Sequence, residues 1–110
     1  MSSCLFCKII NKEISSEIVY ESKNFLVFKD INPKADFHIL IVPKKHIESA
    51  NHLSFQDKDL LLEMFLIAKK ISRQNQLEGY KLAINVGRKG GQLIDHFHLH
   101  FLAGKIKGII

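Results

Sequence analysis

Asp95-His96-Phe97-His98-Leu99-His100-Phe101-Leu102 is the stretch that decides how this chain is read. Polar and apolar residues alternate strictly along it, which is the period of a β-strand and not of a helix. Successive side chains of a strand point to opposite faces, so His96, His98 and His100 share one face while Phe97, Leu99 and Phe101 share the other. Imidazoles two residues apart stand roughly 6.5 to 7 Å from one another, a spacing that one ligand can bridge. The exposed edge of a sheet would explain a single such histidine. Three in alternation, backed by a wholly apolar face, are hard to accommodate as core residues, because each buried imidazole needs partners of its own. They read as a functional face.

Immediately upstream lies Asn85-Val86-Gly87-Arg88-Lys89-Gly90-Gly91-Gln92, whose glycines let backbone amides turn inward and cradle an anion. A glycine-rich hairpin is by itself only a turn. This one feeds into the histidine strand, so phosphate binding is expected of it. Tyr80 to Val86, before the loop, alternates loosely and reads as a further strand. Before that, Ser54 followed by Asp57 has the form of a helix start, and Leu60, Leu61, Met64, Phe65, Ile67, Ala68 and Ile71 recur at helical spacing. The spacing predicts one long amphipathic helix reaching about Gln76.

The N-terminal half supplies the rest of the sheet. Glu17 to Glu21 and Phe25 to Asp30 read as strands joined by a Ser22-Lys23-Asn24 turn, and Asn32-Pro33-Lys34 breaks the chain. His38 to Val42 is a short apolar run with branched residues, stopped by Pro43, which favours a buried strand. A short helix is expected around Phe6 to Asn11. Helix, three strands, helix, two strands gives an α+β fold: an antiparallel five-stranded sheet with one long helix on a face and a short N-terminal helix. With no repeat, low-complexity segment or linker, residues 1–110 read as a single domain.

Composition is ordinary for a globular protein, with 46% hydrophobic and 25% charged residues. The net charge of +5 is spread along the chain, with Lys44-Lys45 and Lys69-Lys70 as the adjacent pairs, so specific nucleic-acid binding is not expected. A small phosphorylated ligand fits the same field. The apolar stretch near the N-terminus is interrupted by Lys8, Asn11, Lys12 and Glu13, too soon for a signal peptide or a membrane span. A cytoplasmic location is expected, where Cys4 and Cys7 would be free or metal-bound and not bridged.

Three histidines permit nucleophilic, acid–base or metal chemistry, and spacing leaves these open. Cys4 and Cys7 form a C-x-x-C pair, half of a tetrahedral zinc site, with His46 and one end of the histidine strand as the available completing ligands. His52, just before the long helix, reads as a surface residue.

With these residues in hand, the chain resembles the histidine triad family, in its branch of histidine triad nucleotide-binding proteins. The resemblance rests on Cys4-Leu5-Phe6-Cys7-Lys8-Ile9-Ile10, Phe28-Lys29-Asp30-Ile31-Asn32-Pro33, His38 through Ile47, Asn85, Gly90-Gly91-Gln92 and His96 through Leu102. It implies that His98 attacks the α-phosphorus of a purine nucleoside phosphoramidate, forming a nucleotidylated histidine that water resolves. It implies that His100 contacts phosphate and assists the leaving group, and that His38 relays protons behind it. By the same resemblance Phe6, Ile9, Phe28 and Ile31 wall the base, Asp30 accepts the ribose hydroxyls, and Asn85 with the backbone near Gly91 and Gln92 holds phosphate beside Leu93. Cys4, Cys7, His46 and His96 would bind one structural zinc per chain, and the family implies a homodimer.

Two departures from the family pattern bear on activity. Leu93 stands where close relatives carry a serine, removing a hydroxyl near the leaving group. The chain also stops at Ile110 without the longer tail of many relatives, so a more open site is expected. These departures motivate a second reading, a nucleotide-binding or scaffold protein with little turnover. A metalloenzyme using all three histidines as ligands is a third, disfavoured because the motif offers no carboxylate and the cysteine pair does not need His98.

Overall fold

The computed structural model describes residues 3–108, so residues 1–2 and 109–110, and the expectation drawn from the end of the chain, lie outside it. The short helix α1 (Leu5–Ile10) starts at Cys4, whose sulfur accepts the Cys7 amide at 3.4 Å. Strands β1 (Ile18–Glu21), β2 (Phe25–Lys29) and β3 (Ala35–Pro43) follow. The long helix α2 (Lys58–Gln74) leads to β4 (Lys81–Ala83) and β5 (Leu99–Ile106). All pairings are antiparallel, and the spatial order is β1-β2-β3-β5-β4. This is the expected α+β architecture.

The alternation in the sequence becomes two apolar layers. On one face Phe25, Val27, Ile39, Ile41, Phe97, Leu99 and Phe101 pack with Met64, Ile67, Ala68 and Ile71 of α2. On the other, Leu26, Phe28, Leu40 and Val42 pack with Phe6 and Ile9 of α1. Strand β3 is thus covered on both sides, which is why its core reads as an unbroken apolar run. A buried aliphatic or aromatic side chain contributes about 1.5–3 kcal/mol, so this double layer holds the central strands rigidly beneath the histidines.

Element boundaries differ from the sequence reading in instructive ways. The histidine strand begins at Leu99 and not at Asp95. The β3·β5 register pairs Leu40 with His100 and Ile41 with Leu99, so its continuation would set Phe97 opposite Pro43, which has no amide to donate. The ladder stops there. Phe97 instead donates its amide to Ile47 O, and Pro43 O is 2.8 Å from the His96 ring. At its other end β5 runs past Leu102 to Ile106, beyond a register shift where Asp36 Oδ2 accepts the Lys105 amide and Gly104 adopts φ 83°. Strand β4 is shorter than Tyr80 to Val86, because the chain leaves the sheet for the glycine loop after Ala83. A 3₁₀ turn over Phe55–Asp57 precedes α2, and Asp57 accepts the Ser54 amide there at 2.9 Å.

Candidate active site and metal centre

The histidine face of β5 meets β3 side by side. His38 Nε2 lies 2.9 Å from His100 Nδ1, and His38 Nδ1 accepts the Lys34 amide at 2.9 Å. An imidazole nitrogen that accepts an N–H carries a lone pair, so neutral His38 holds its proton on Nε2 and donates it to His100. His100 is then left with its own proton on Nε2. Asp30 Oδ2 sits 3.4 Å from His38 Nε2, close enough to act on the pair electrostatically. Asp30, His38 and His100 lie within metal-ligand distance of one another, and the pinned His38 tautomer joins the two imidazoles by a hydrogen bond.

His98 has the complementary arrangement. Its Nδ1 donates to the His96 carbonyl at 2.7 Å, which leaves a lone pair on Nε2. Its ring stands edge-on to Phe6, at 5.0 Å, and to His100, at 4.9 Å. Burial lowers the pKa of His98 and His38, and pushes His100 down to about 4, with the neighbouring histidines adding to the effect on His100. All three are therefore neutral at pH 7, the form in which an imidazole is a nucleophile or a hydrogen-bond relay.

These histidines line a cavity of about 450 Å³. Phe6, Ile9, Phe28, Ile31, Asp30, Lys34, Asn85, Gly91 and Leu93 line it with them. Of the residues expected to contact a nucleotide, Gln92 alone is missing from this wall. Its side chain is 2% exposed and turned inward: Nε2 donates to Glu48 O and Ile94 O, and Oε1 accepts the Gly87 amide. Its side chain braces the loop from within, and the contact expected of Gln92 is left to its backbone. The cavity also takes in Ile14, Ser15, Ser16 and Leu40, which the sequence reading did not single out. Leu40 carried a usable signal, since it is two residues from His38 on one strand and shares its face. Ser15 and Ser16 arrive through an irregular loop and carried none.

The loop itself is built as its glycines require. Gly87 has φ 71° and Gly91 has φ 89°, and a Cβ on Gly91 would stand 3.1 Å from Asn85 Nδ2. Arg88 fastens the loop to the start of the histidine segment by a two-pronged pair with Asp95 at 2.7 and 3.0 Å, and by a bond to Gln92 O.

A second cluster lies at the end of the histidine segment. Cys4 Sγ and Cys7 Sγ are 3.3 and 3.6 Å from His96 Nδ1, Cys7 Sγ is 3.3 Å from His46 Nδ1, and the two imidazole nitrogens are 3.2 Å apart. Zinc–nitrogen and zinc–sulfur bonds of about 2.05 and 2.3 Å give tetrahedral edges of about 3.3 to 3.8 Å, so the four donors fit a zinc ion. His96 meets the remaining requirement: its Nε2–H is donated to Pro43 O, which turns the Nδ1 lone pair toward the sulfurs. Burial pushes His96 down to about 4, which keeps it neutral, and pushes the Cys4 thiol up, so that a metal is what would draw off its proton. Next to His46, the Lys45 ammonium reaches Asp57 at the head of α2 at 2.8 Å. His52 is half-exposed, as expected, and pairs with Glu48.

A family model described as "Scavenger mRNA decapping enzyme C-term binding" matches residues 3–109. A purine nucleoside phosphoramidase of Escherichia coli (strain K12) is 41% identical over 106 residues, which is 94% of this chain and 89% of that protein. The chain belongs to the histidine triad family. Protein HitA of Neisseria gonorrhoeae, 42% identical over 103 residues, covers 93% of this histidine triad chain and 96% of its own. Among solved structures, a histidine triad hydrolase from Legionella pneumophila Philadelphia 1 superposes with a TM-score of 0.91 at 46% identity, covering 94% of each chain. A histidine triad protein from Clostridium difficile gives 0.93 at 38% identity, covering 100% of this chain and 97% of that one.

Proposed function

We propose that this protein is a nucleotide hydrolase whose substrates are purine nucleoside 5′-phosphoramidates or related nucleotidyl conjugates, and that His98 is its nucleophile. The observation that carries the reading is the fixed tautomer of His98: with Nδ1 donating to His96 O at 2.7 Å, Nε2 is left unprotonated on a residue that lines the cavity. Its lone pair would form a bond to the α-phosphorus as the bond to the leaving nitrogen breaks. The departing amine would take a proton delivered through His38 and His100. Burial holds that pair neutral at rest, and an arriving phosphate anion supplies the counter-charge that lets it take up a proton. Water then attacks the phosphorus, the His98–phosphorus bond breaks, and the proton left from water restores the balance as the nucleoside monophosphate departs.

The rest of the cavity supports this assignment. Phe6, Ile9, Phe28 and Ile31 would hold the base, Asp30 the ribose hydroxyls, and Asn85 with the backbone of Gly91 and Gln92 the phosphate. Cys4, Cys7, His46 and His96 would hold one zinc ion, whose chemistry is structural because four protein donors leave no position for water. A homodimer belongs to the same reading and is supported by Leu62, Phe65 and Leu66 exposed along α2 and by the short edge strand β4. No helix among the described residues is long and apolar enough to cross a membrane, which accords with the proposed cytoplasmic location.

The test is incubation with adenosine 5′-phosphoramidate. Release of AMP, abolished in His98→Ala, is expected. Full activity in that variant overturns the covalent path, and AMP binding without hydrolysis of any phosphoramidate moves the protein to the nucleotide-binding reading.

A further inference from the structure

His38 has one N–H to give, and two acceptors stand near it. Because the Lys34 amide occupies the lone pair of Nδ1, the proton of neutral His38 is on Nε2, directed at His100 Nδ1 2.9 Å away. Asp30 Oδ2 stands 3.4 Å from the same nitrogen. The Asp30 side chain is only 18% exposed, and its other oxygen, Oδ1, accepts the Asn32 amide at 2.8 Å. Among the described residues no lysine or arginine forms an ion pair with it: Lys29 is held by Glu17 at 2.7 Å, and the Lys34 ammonium donates to the Asn32 carbonyl at 3.0 Å.

A second proton on the imidazole pair upsets this contact. Protonating His100 puts N–H groups on both nitrogens of the 2.9 Å pair, and two donors cannot share a hydrogen bond. His38 cannot yield by moving its proton to Nδ1, since the Lys34 amide already points there. Its Nε2–H then needs another acceptor, and Asp30 Oδ2 is the one at hand. The charges facing the pair agree. His98 of β5, acting on His100, and Lys34, in the loop before β3, oppose protonation, whereas the Asp30 carboxylate just after β2 favours it at both His38 and His100.

We infer that Asp30, besides its place against the ribose, is a positioning residue of the proton relay: its Oδ2 accepts the His38 Nε2–H and balances the charge while His100 is an imidazolium. The inference rests on the phosphoramidase reading, in which a proton passes through this pair to the departing amine. His100 takes a proton from solution as the substrate phosphate arrives, and Asp30 receives the hydrogen bond that His100 can no longer accept. His100 gives that proton to the leaving nitrogen as its bond to phosphorus breaks, and takes one back from the attacking water.

A substrate without ribose hydroxyls separates the two roles. On 2′,3′-dideoxyadenosine 5′-phosphoramidate a ribose contact alone predicts equal kcat for the wild type and Asp30→Asn. An opposite charge within about 4–6 Å shifts a titrating group by about one pH unit or more, so above the pKa of the pair the loss of the carboxylate should lower kcat on this substrate about tenfold. The alkaline fall of kcat should also move about one unit toward lower pH, because kcat reports the substrate complex. Asp30→Asn keeps an acceptor for the Asn32 amide, and Asp30→Ser, which removes the charge with less bulk, should act in the same direction. Equal kcat and an unmoved alkaline limb in both variants overturn the inference. Hydrolysis of adenosine 5′-phosphoramidate by the wild type tests the parent reading separately. If neither substrate is hydrolysed, titration of the His100 ring by NMR with 2′,3′-dideoxyadenosine 5′-monophosphate bound decides: a pKa about one unit lower in Asp30→Asn supports the relay role, and equal values refute it.

Discussion

Replacing Gln92 separates a brace from a ligand. Its amide, 2% exposed, satisfies the backbone of two different segments: the carbonyls of Glu48 and Ile94 accept from Nε2 at 2.8 and 2.9 Å, and the Gly87 amide donates to Oε1 at 2.9 Å. Gln92→Ala strands all three backbone groups and opens a void in their midst. A stranded buried polar group costs about 1–3 kcal/mol, and water entering the void recovers part of that, so a loss of about 3–5 kcal/mol is expected. For a chain of this size each kcal/mol lowers Tm by about 4–6 °C. Gln92→Glu should cost at least as much, since it keeps an acceptor for Gly87 but sets a buried carboxylate against two carbonyls. Urea unfolding gives both values, and kinetics on adenosine 5′-phosphoramidate give the second readout: KM should rise more than kcat falls, because the loop loses its shape while His98 stays in place. Two variants within about 0.5 kcal/mol of wild type would refute the brace.

Elemental analysis should find one zinc per chain, lost in Cys4→Ser together with a lower Tm, while part of the activity survives if the metal only shapes the fold. Gly91→Ala, forced to φ 89° with its new Cβ 3.1 Å from Asn85 Nδ2, should cost about 1–2 kcal/mol by urea unfolding and raise KM for the phosphoramidate. Stability should fall on acidification. His38 and His100 have pKa values lowered on folding, His100 to about 4, so the unfolded chain binds the extra protons, and stability present above the ordinary histidine value of about 6.5 is lost as pH falls toward 4. A shallower slope of unfolding free energy between pH 7 and pH 5 in His100→Asn is the check, and an unchanged slope would count against the buried pair.

Much of this arrangement was legible because it follows from a period of two. The segregation of Phe97, Leu99 and Phe101 from the histidines needed no knowledge of the partner strand, and the run Ile39-Leu40-Ile41-Val42 announced a strand covered on both faces. Where β5 begins was not legible. That boundary is imposed by Pro43, on another strand, through an amide it does not have, and alternation in the sequence carries on regardless. The completion of the cysteine pair was readable only as a choice among histidines, since the identity of the second pair depends on how the chain beyond β3 and the start of the histidine segment come together in space. The side chain of Gln92 was not legible either: the sequence pointed to its backbone beside the glycines, and the interior its amide fills is assembled from Gly87, Glu48 and Ile94.

The same proline accounts for the different hydrogen-bond partners of the three histidines. Because Pro43 ends the ladder, its carbonyl is free to accept from His96 Nε2, and this contact turns His96 Nδ1 to the sulfurs of Cys4 and Cys7. The main chain at His96 is released from the β3 ladder too, and its carbonyl accepts from His98 Nδ1 instead. One residue thus ties the two clusters together, with its ring among the cysteines and its carbonyl setting the tautomer of the neighbouring imidazole. His100, one pair further along, is inside the regular ladder opposite Leu40, and its ring is governed by His38 across the strands. Three residues of one type at equal spacing take different partners because the backbone beneath them changes from a bend to a strand over five positions.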